Sequence, residues 1–193
     1  MSIKVEVYDV SRETTQLVDH LFDQYCEILD SYAHYLLWWN KSVNLISRSL
    51  NKEELMFHVK HCLYLHGYLV PYPIFDTGCG GGLPGIPLAI INGEKSFILN
   101  DKVTKKIMAV KDMSRKLKLQ NVKTLSDSVE RVKVGEKVQI ISKHAFKIGD
   151  LLEKTSHLDV TSYALLKGID YKEELKQVEQ DLEVTAIDLS KFA

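Results

Sequence analysis

The sequence predicts an α/β protein: a doubly wound, parallel, Rossmann-like sheet with helices on both faces and a helical extension at the N-terminus. Three observations predict it. Ile74-Phe75-Asp76 runs strand-like into a turn in which five of the next nine residues are glycine, and Ile86 to Ile91 behind it read as a buried helix. From there to the C-terminus short apolar runs alternate with helical patterns, the rhythm of a parallel sheet. Before Pro71 the apolar residues from Leu17 to Trp39 recur instead every three or four positions, the period of helices.

Each element follows from its own residues. Leu17, Leu21, Tyr25, Leu29, Tyr32, Leu36 and Trp39 keep the period of one amphipathic helix or of two that abut. The aromatic cluster Tyr32, Tyr35, Trp38 and Trp39 is better explained by packing between helices than by stacking on bases. Asn51 suits the N-cap of a helix starting at Lys52, with Glu53 and Glu54 in its first turn and Met56, Val59, Leu63 and Leu65 along it. Pro71 and Pro73 close this N-terminal third, which divides the chain into residues 1–70 and 71–193. Strands are then expected at Phe97-Ile98-Leu99, Val122 to Leu125, Val138 to Ile141, Ser162 to Leu166 and Val184 to Leu189. Helices alternate with them: one with an apolar face at Val103, Ile107, Val110 and Leu117, then Ser128 to Val132, Ile148 to Lys154 and Lys172 to Gln180. No internal repeat or low-complexity segment is visible.

Composition narrows the class. A hydrophobic content of 45% is enough for a real core. No apolar run is long enough to span a bilayer and no signal-like segment opens the chain, so a cytoplasmic protein without a membrane partner is expected. Cys26, Cys62 and Cys79 are odd in number and show no C-x-x-C spacing, which indicates neither a disulfide framework nor a zinc ribbon. His58, His61 and His66 lie on one segment without a completing carboxylate or cysteine, so no metal site is expected. Cys79 has no adjacent base and reads as a small loop residue rather than a nucleophile. Net charge is −1, but Lys102 to Lys118 holds seven Lys/Arg and the single acid Asp112. That run suits either a phosphate footprint or a solubilising helix face.

Three features fall one strand apart and together suggest an adenosine-bearing cofactor laid across the strand ends. They are the glycine turn after Asp76, Asp101 at the end of the next strand, and Val129-Glu130 after the third. A carboxylate at Asp101 can accept from a ribose diol, and Val129-Glu130 can meet an adenine edge. The turn also contains G-x-G-x-x-G, from Gly80 to Gly85, which would fit an NAD-linked oxidoreductase. Pro84 and Pro87, however, remove backbone donors that a pyrophosphate needs, and the charge of Asp76 opposes phosphate. A ligand with an ammonium and a sulfonium suits that acid better, so S-adenosylmethionine is the expected cofactor.

The stretch Phe75-Asp76-Thr77-Gly78-Cys79-Gly80-Gly81-Gly82-Leu83-Pro84-Gly85-Ile86-Pro87-Leu88-Ala89 resembles the signature of the RsmG (GidB) family. Upstream, Trp39-Asn40-Lys41-Ser42-Val43-Asn44-Leu45 is similar to the family's W-N-x-x-x-N-L. Downstream, Asp101 to Lys106 resembles its D-x-x-x-K-R and Leu166-Lys167-Gly168 its late L-K-G. The resemblance implies a class I methyltransferase fold and S-adenosylmethionine-dependent methylation of guanine N7 in bacterial small-subunit (16S) ribosomal RNA. The partner would be that RNA, the small ribosomal subunit or its precursor, and not DNA.

By position the resemblance places cofactor contacts at Gly78, Leu83, Val129 and Glu130, with Asp101 on the ribose and Asp76 and Gly80 in the same turn. The resemblance also puts His144 at the cofactor, in the place of the arginine of the family's S-R-A; Ser128 stands for the arginine of its R-A-E, and Lys60 to Leu65 lacks the acid and serine of its R-H-x-x-D-S. Guanine N7 already presents a lone pair, so no catalytic acid or base is expected and the work is positioning. Lys105, Lys106, Lys143 and Lys167 are the candidates for RNA phosphate contacts. A non-catalytic RNA-binding protein that keeps the fold is the remaining alternative.

Overall fold

A computed structural model describes residues 3–190; the outermost residues of the two expected portions, 1–2 and 191–193, lie outside them. The chain opens with strand β1 (Ile3–Asp9), which the helical reading of residues 1–70 did not expect. Helices α1 (Arg12–Gln24) and α2 (Cys26–Asn40) then abut at Tyr25, and α3 (Lys52–Leu63) follows. Asn51 caps α3 as its sequence suggested. Its side chain accepts from Glu54 N–H at 3.0 Å, and Glu54 returns the bond to Asn51 N–H at 2.8 Å, a reciprocal capping box.

The α/β portion runs β2 (Ile74–Thr77), α4 (Gly85–Ile91), β3 (Phe97–Asn100), α5 (Thr104–Lys116), β4 (Val122–Leu125), a 3₁₀ turn (Val129–Arg131), β5 (Val138–Lys143), α6 (Ile148–Thr155), β6 (Val160–Leu166), α7 (Tyr171–Leu175) and β7 (Leu182–Asp188). Helix α7 is shorter than the span Lys172 to Gln180 suggested. Only Leu175 and Val178 there are buried, amid Glu173, Glu174, Glu179 and Asp181, which leaves little apolar surface to carry a longer helix.

Five strands form one parallel sheet in the order β4-β3-β2-β5-β6. The chain winds outward from β2 to β4, then returns to lay β5 on the other side of β2. The strand order therefore reverses beside β2, where ligands of open α/β sheets sit. Every residue of β2 and β3 is buried, as strands covered on both faces must be. Alternate side chains along β2 enter opposite cores: Ile74 joins Leu29, Leu36, Leu55, Leu63 and Leu88 under the N-terminal helices, whereas Phe75 joins Ile98, Ile140 and Leu151 on the α6 side. The N-terminal helices thus share one core with a face of the sheet.

The last strand corrects an expectation. Val184 to Leu189 reads as another strand of the main sheet, yet β7 pairs in parallel with β1 in a separate two-stranded ribbon, Ile3 opposite Leu182 and Asp9 opposite Asp188. Partial exposure of both strands removes the burial that would have marked a central position.

Asn40 fixes how α2 meets the glycine turn. It is buried, and its Oδ1 accepts from Leu45 N–H at 2.8 Å and Ile46 N–H at 3.1 Å, folding the loop after α2 back so that Leu45 packs beside Gly80 and Gly81. Replacing Asn40 by Ala leaves these two amides without an acceptor and should cost about 2–4 kcal/mol of stability, seen in urea denaturation as a lower midpoint at unchanged slope.

Candidate functional site

The turn between β2 and α4 is built around Asp76. Its side chain is fully buried, and Oδ2 accepts from Gly85 N–H at 2.9 Å, so the acid at the end of the strand holds the first residue of the helix. A methyl group on Gly85 would lie 2.6 Å from that oxygen and 3.0 Å from Leu99, which explains the glycine without reference to a ligand. Gly78, Gly80 and Gly82 have φ of +68°, +54° and +96°, the left-handed region that glycine enters at no steric cost. Gly78 is doubly constrained: a Cβ there would meet Ala145 at 2.6 Å and Phe146 at 3.0 Å, so the loop after β5 closes directly on the turn. Gly80 differs, since a Cβ there would meet only the Leu45 carbonyl at 3.5 Å. From the opposite side Tyr32 Oη donates to the Gly81 carbonyl at 3.0 Å and anchors the turn to α2.

Asp101 stands at the end of β3 and is tied to the same turn. Oδ2 accepts from Gly80 N–H at 3.1 Å and Oδ1 from Val103 N–H at 2.9 Å. Two of a carboxylate's four or so acceptor positions are thereby used, leaving the others for a ligand. Sequence reasoning overlooked its neighbour. Asn100 Nδ2 donates to the Leu125 and Asp127 carbonyls at 3.2 and 2.9 Å and draws the loop after β4 against the end of β3. The signal available was an amide beside the acid at a strand end. Ser142 and Thr77 were also overlooked; Ser142 Oγ donates to the Thr77 carbonyl at 3.0 Å and ties β5 to β2 at the mouth of the crevice.

Asp76, Gly78, Gly80, Leu83 and Asp101 come together at the ends of β2 and β3. Val129 is buried in the next loop. Glu130 is exposed and turned toward α6, where Lys154 Nζ lies 2.5 Å away, and Ser128 Oγ also bonds it; these contacts pull its acid strength to a pKa of about 2. His144 follows β5 with φ +54°, a left-handed conformation uncommon for a residue bearing Cβ, and its N–H donates to the Leu166 carbonyl at 3.2 Å. Burial first, and the Lys143 and Lys167 charges next, lower its imidazole pKa. Lys105 is exposed and Lys106 half-buried on the first turn of α5, and Lys143 is half-buried at the end of β5.

Lys167 is a correction. Its ammonium is 2.6 Å from Glu174 and donates to the Phe146 carbonyl at 2.8 Å, with 15% of the side chain exposed. Its charge is engaged inside the protein, bracing the loop that closes on Gly78, and is not free to meet a phosphate. The thiol of Cys79 is pushed well up by burial, which keeps it protonated and unreactive. His66 turns away from the other two histidines and bonds Asn92 through Nδ1 at 2.9 Å.

Among the described residues four buried side-chain polar atoms have no partner: Asp76 Oδ1, Thr77 Oγ1, His58 Nδ1 and His61 Nε2. Such atoms are rare in folded proteins and each calls for an explanation. Asp76 and Thr77 end β2; the two histidines lie on α3, both within electrostatic reach of Lys143 at the end of the adjacent β5. Burial raises the Asp76 pKa to about 8, with the Asp101 charge adding to the rise and the Gly85 bond opposing it. A cation placed against Oδ1 would supply both the missing partner and the missing charge. The residues present therefore fit the ammonium-bearing end of S-adenosylmethionine.

Fold and site define an open-sheet α/β protein with an acid-led glycine turn at the reversal of strand order. Comparison with known families narrows this to one group of enzymes: residues 25–192 match the GidB family, rRNA small subunit methyltransferase G, and the chain belongs to that family. It is 35% identical over 165 residues to the ribosomal RNA small subunit methyltransferase G of Vibrio vulnificus (strain CMCP6), covering 83% of this chain and 78% of that protein. The protein of the same name from Chlorobaculum tepidum is 37% identical over 155 residues, covering 78% of this chain and 71% of its own length. Among solved structures, coclaurine N-methyltransferase bound to N-methylheliamine and SAH superposes with a TM-score of 0.48 at 15% identity, covering 80% of this chain and 55% of that one. Family membership disfavours both the NAD-linked oxidoreductase and the non-catalytic alternative.

The raised pKa of Asp76 makes a stability prediction. Between the ordinary carboxylate value near 4 and about 8 the unfolded chain has lost this proton and the folded chain retains it. Folding is then favoured most at the acid end of the window and progressively less as pH rises through it. The difference in urea midpoint between wild type and Asp76→Asn should accordingly shift in favour of Asn as pH goes from 5 to 9. A difference that stays constant would show that the carboxyl is already ionised at pH 5.

Proposed function

We propose that this chain transfers the methyl group of S-adenosylmethionine to N7 of a guanine in small-subunit ribosomal RNA. The observation that carries the reading is the buried, unpaired Oδ1 of Asp76 at the point where strand order reverses. Bound there, S-adenosylmethionine would supply an electrophilic methyl group on a sulfonium, which a nitrogen lone pair takes in one in-line displacement.

The chain's own residues bind and orient. Asp76 would take the ammonium through Oδ1, with Thr77 Oγ1 beside it, while Gly78, Gly80 and Leu83 offer backbone at close approach. Asp101 would accept from the ribose hydroxyls, and Val129 and Glu130 would border the adenine. His144 sits on the loop that closes over Gly78 and so bounds the crevice from the β5 side. No side chain needs to remove a proton, because the acceptor nitrogen carries none. Lys105, Lys106 and Lys143 would meet RNA phosphates, positioning the acceptor without reading sequence. The partner is the small ribosomal subunit or a precursor of it, and the setting is the cytoplasm. Among the described residues no helix is long and apolar enough to cross a membrane.

Calorimetry with S-adenosylhomocysteine and NAD tests the cofactor, and mass spectrometry of nucleosides from treated small-subunit RNA tests the product. Binding of the first ligand alone and appearance of N7-methylguanine are expected; binding of NAD, or no methylated guanine, overturns the reading. Asp101→Asn should weaken S-adenosylhomocysteine about 10-fold by removing a charge-assisted acceptor. Below pH 8 binding should also release a proton, because the ammonium pairs with the ionised form of Asp76; titrations in buffers of different ionisation enthalpy measure it. RNA affinity should fall steeply with added salt, and Lys105→Gln should flatten that slope by roughly one phosphate contact.

A further inference from the structure

The surface that joins α2 to α5 has no part in holding the cofactor, yet it is unusual. Trp38 is 52% exposed near the end of α2, while its neighbour Trp39 turns inward and donates from Nε1 to Asp112 at 3.0 Å. Asp112 also takes Lys116 at 2.9 Å and Arg115 at 3.0 Å, which pulls its pKa down to about 2. The Lys116 ammonium is thereby held 4.9 Å from the centre of the Trp38 ring and 5.1 Å from that of Tyr35. One acid thus fixes a cation between two aromatic rings and leaves the larger ring open to solvent.

The same face of α5 continues away from this cluster. Lys105, Met108, Asp112 and Arg115 follow each other at three- and four-residue steps, and Met108 is 60% exposed. Lys102, Lys105, Lys106, Lys111 and Lys118 form no ion pair among the described residues. From Lys105, near the glycine turn, to Lys116 the helix rises about 16 Å. A solubilising face accounts for the lysines but not for an indole kept in water beside an ordered cation. Aromatic faces interleaved with unpaired cations are what single-stranded nucleic acid uses, stacking bases on rings while its phosphates follow the charges.

We propose that Trp38, backed by Lys116 and Tyr35, is a stacking platform for an unpaired base of the RNA substrate, with the strand's phosphates following the same face of α5 to Lys105. The platform rests on the RNA methyltransferase reading. It gives the enzyme a second, remote grip on its substrate, one that strengthens binding without touching the transfer itself.

The test uses the full chain, small-subunit ribosomal RNA transcribed in vitro, and the variants Trp38→Ala and Trp38→Phe. Trp38→Ala should weaken RNA binding about 5- to 100-fold, the range seen when one stacked base loses its ring. Trp38→Phe should retain most of the affinity. The KM for RNA should rise with the loss while kcat at saturating RNA, S-adenosylhomocysteine affinity and the urea midpoint stay at wild-type values. RNA should quench indole fluorescence in the wild type and much less in Trp38→Phe, where Trp39 remains. Equal RNA affinity in wild type and Trp38→Ala overturns the platform, as does a wild-type dimer that Trp38→Ala dissolves, which would make a second copy the occupant. Failure of the wild type to methylate the RNA overturns the underlying function and the platform with it; methylation intact with unchanged affinity overturns the platform alone.

Discussion

A single hydrogen bond organises the functional end of this molecule, the one from Gly85 N–H to the buried carboxyl of Asp76. It ties the last turn of the central strand to the first residue of the helix that follows and so sets the curvature of the eight residues between. Everything else at the site is arranged against that curvature. Tyr32 grips it from α2, Leu45 packs under it, Asp101 holds Gly80 from the next strand, and the Ala145-Phe146 loop closes on Gly78. The cost is a carboxyl removed from water with one oxygen left without a partner.

This arrangement explains why a methyltransferase of this kind needs few reactive side chains. The turn is held at several points: Gly85 by Asp76, Gly80 by Asp101, Gly81 by Tyr32, and Gly78 by the close approach of Ala145 and Phe146. In the proposed reaction the turn would contribute to rate by positioning, since an in-line displacement without proton transfer depends mainly on holding donor and acceptor in line. Reactive groups nearby are correspondingly quiet. Cys79 and Cys62 are held protonated by burial, the second pushed up to about 12, and His61 is held neutral with a pKa near 4.

Much of this was legible in the sequence, and the reasons differ from element to element. β2 and β3 announce themselves because strands buried on both faces must be apolar throughout, and α3 because Asn51 and Glu54 are spaced for mutual capping. The glycine turn was legible as a turn, but its glycines serve different ends that composition alone does not separate. Gly78 and Gly85 answer to neighbouring side chains, whereas Gly80 faces comparatively open space. Lys167 misled for a physical reason: a lysine after a strand looks solvent-facing until the fold brings Glu174 and the Phe146 carbonyl to it. The β1–β7 ribbon was hidden because its strands join opposite ends of the chain, and a half-exposed strand lacks the apolar run that marks a central one. Asn100 and Ser142 escaped notice, and Asn40 showed as part of a motif without its role, because a polar side chain that binds backbone looks in sequence like any surface residue.

The ribbon has a consequence for how the molecule is made. β1 is translated before every other described element, and its partner Leu182–Asp188 emerges roughly 180 residues later. Until β7 is made, β1 has open edges and no mate, while the helices and the five-stranded sheet can already bury their cores. The ribbon is therefore a clasp fastened after the five-stranded sheet, and a chain that stops short of β7 would leave β1 available for pairing with a neighbour.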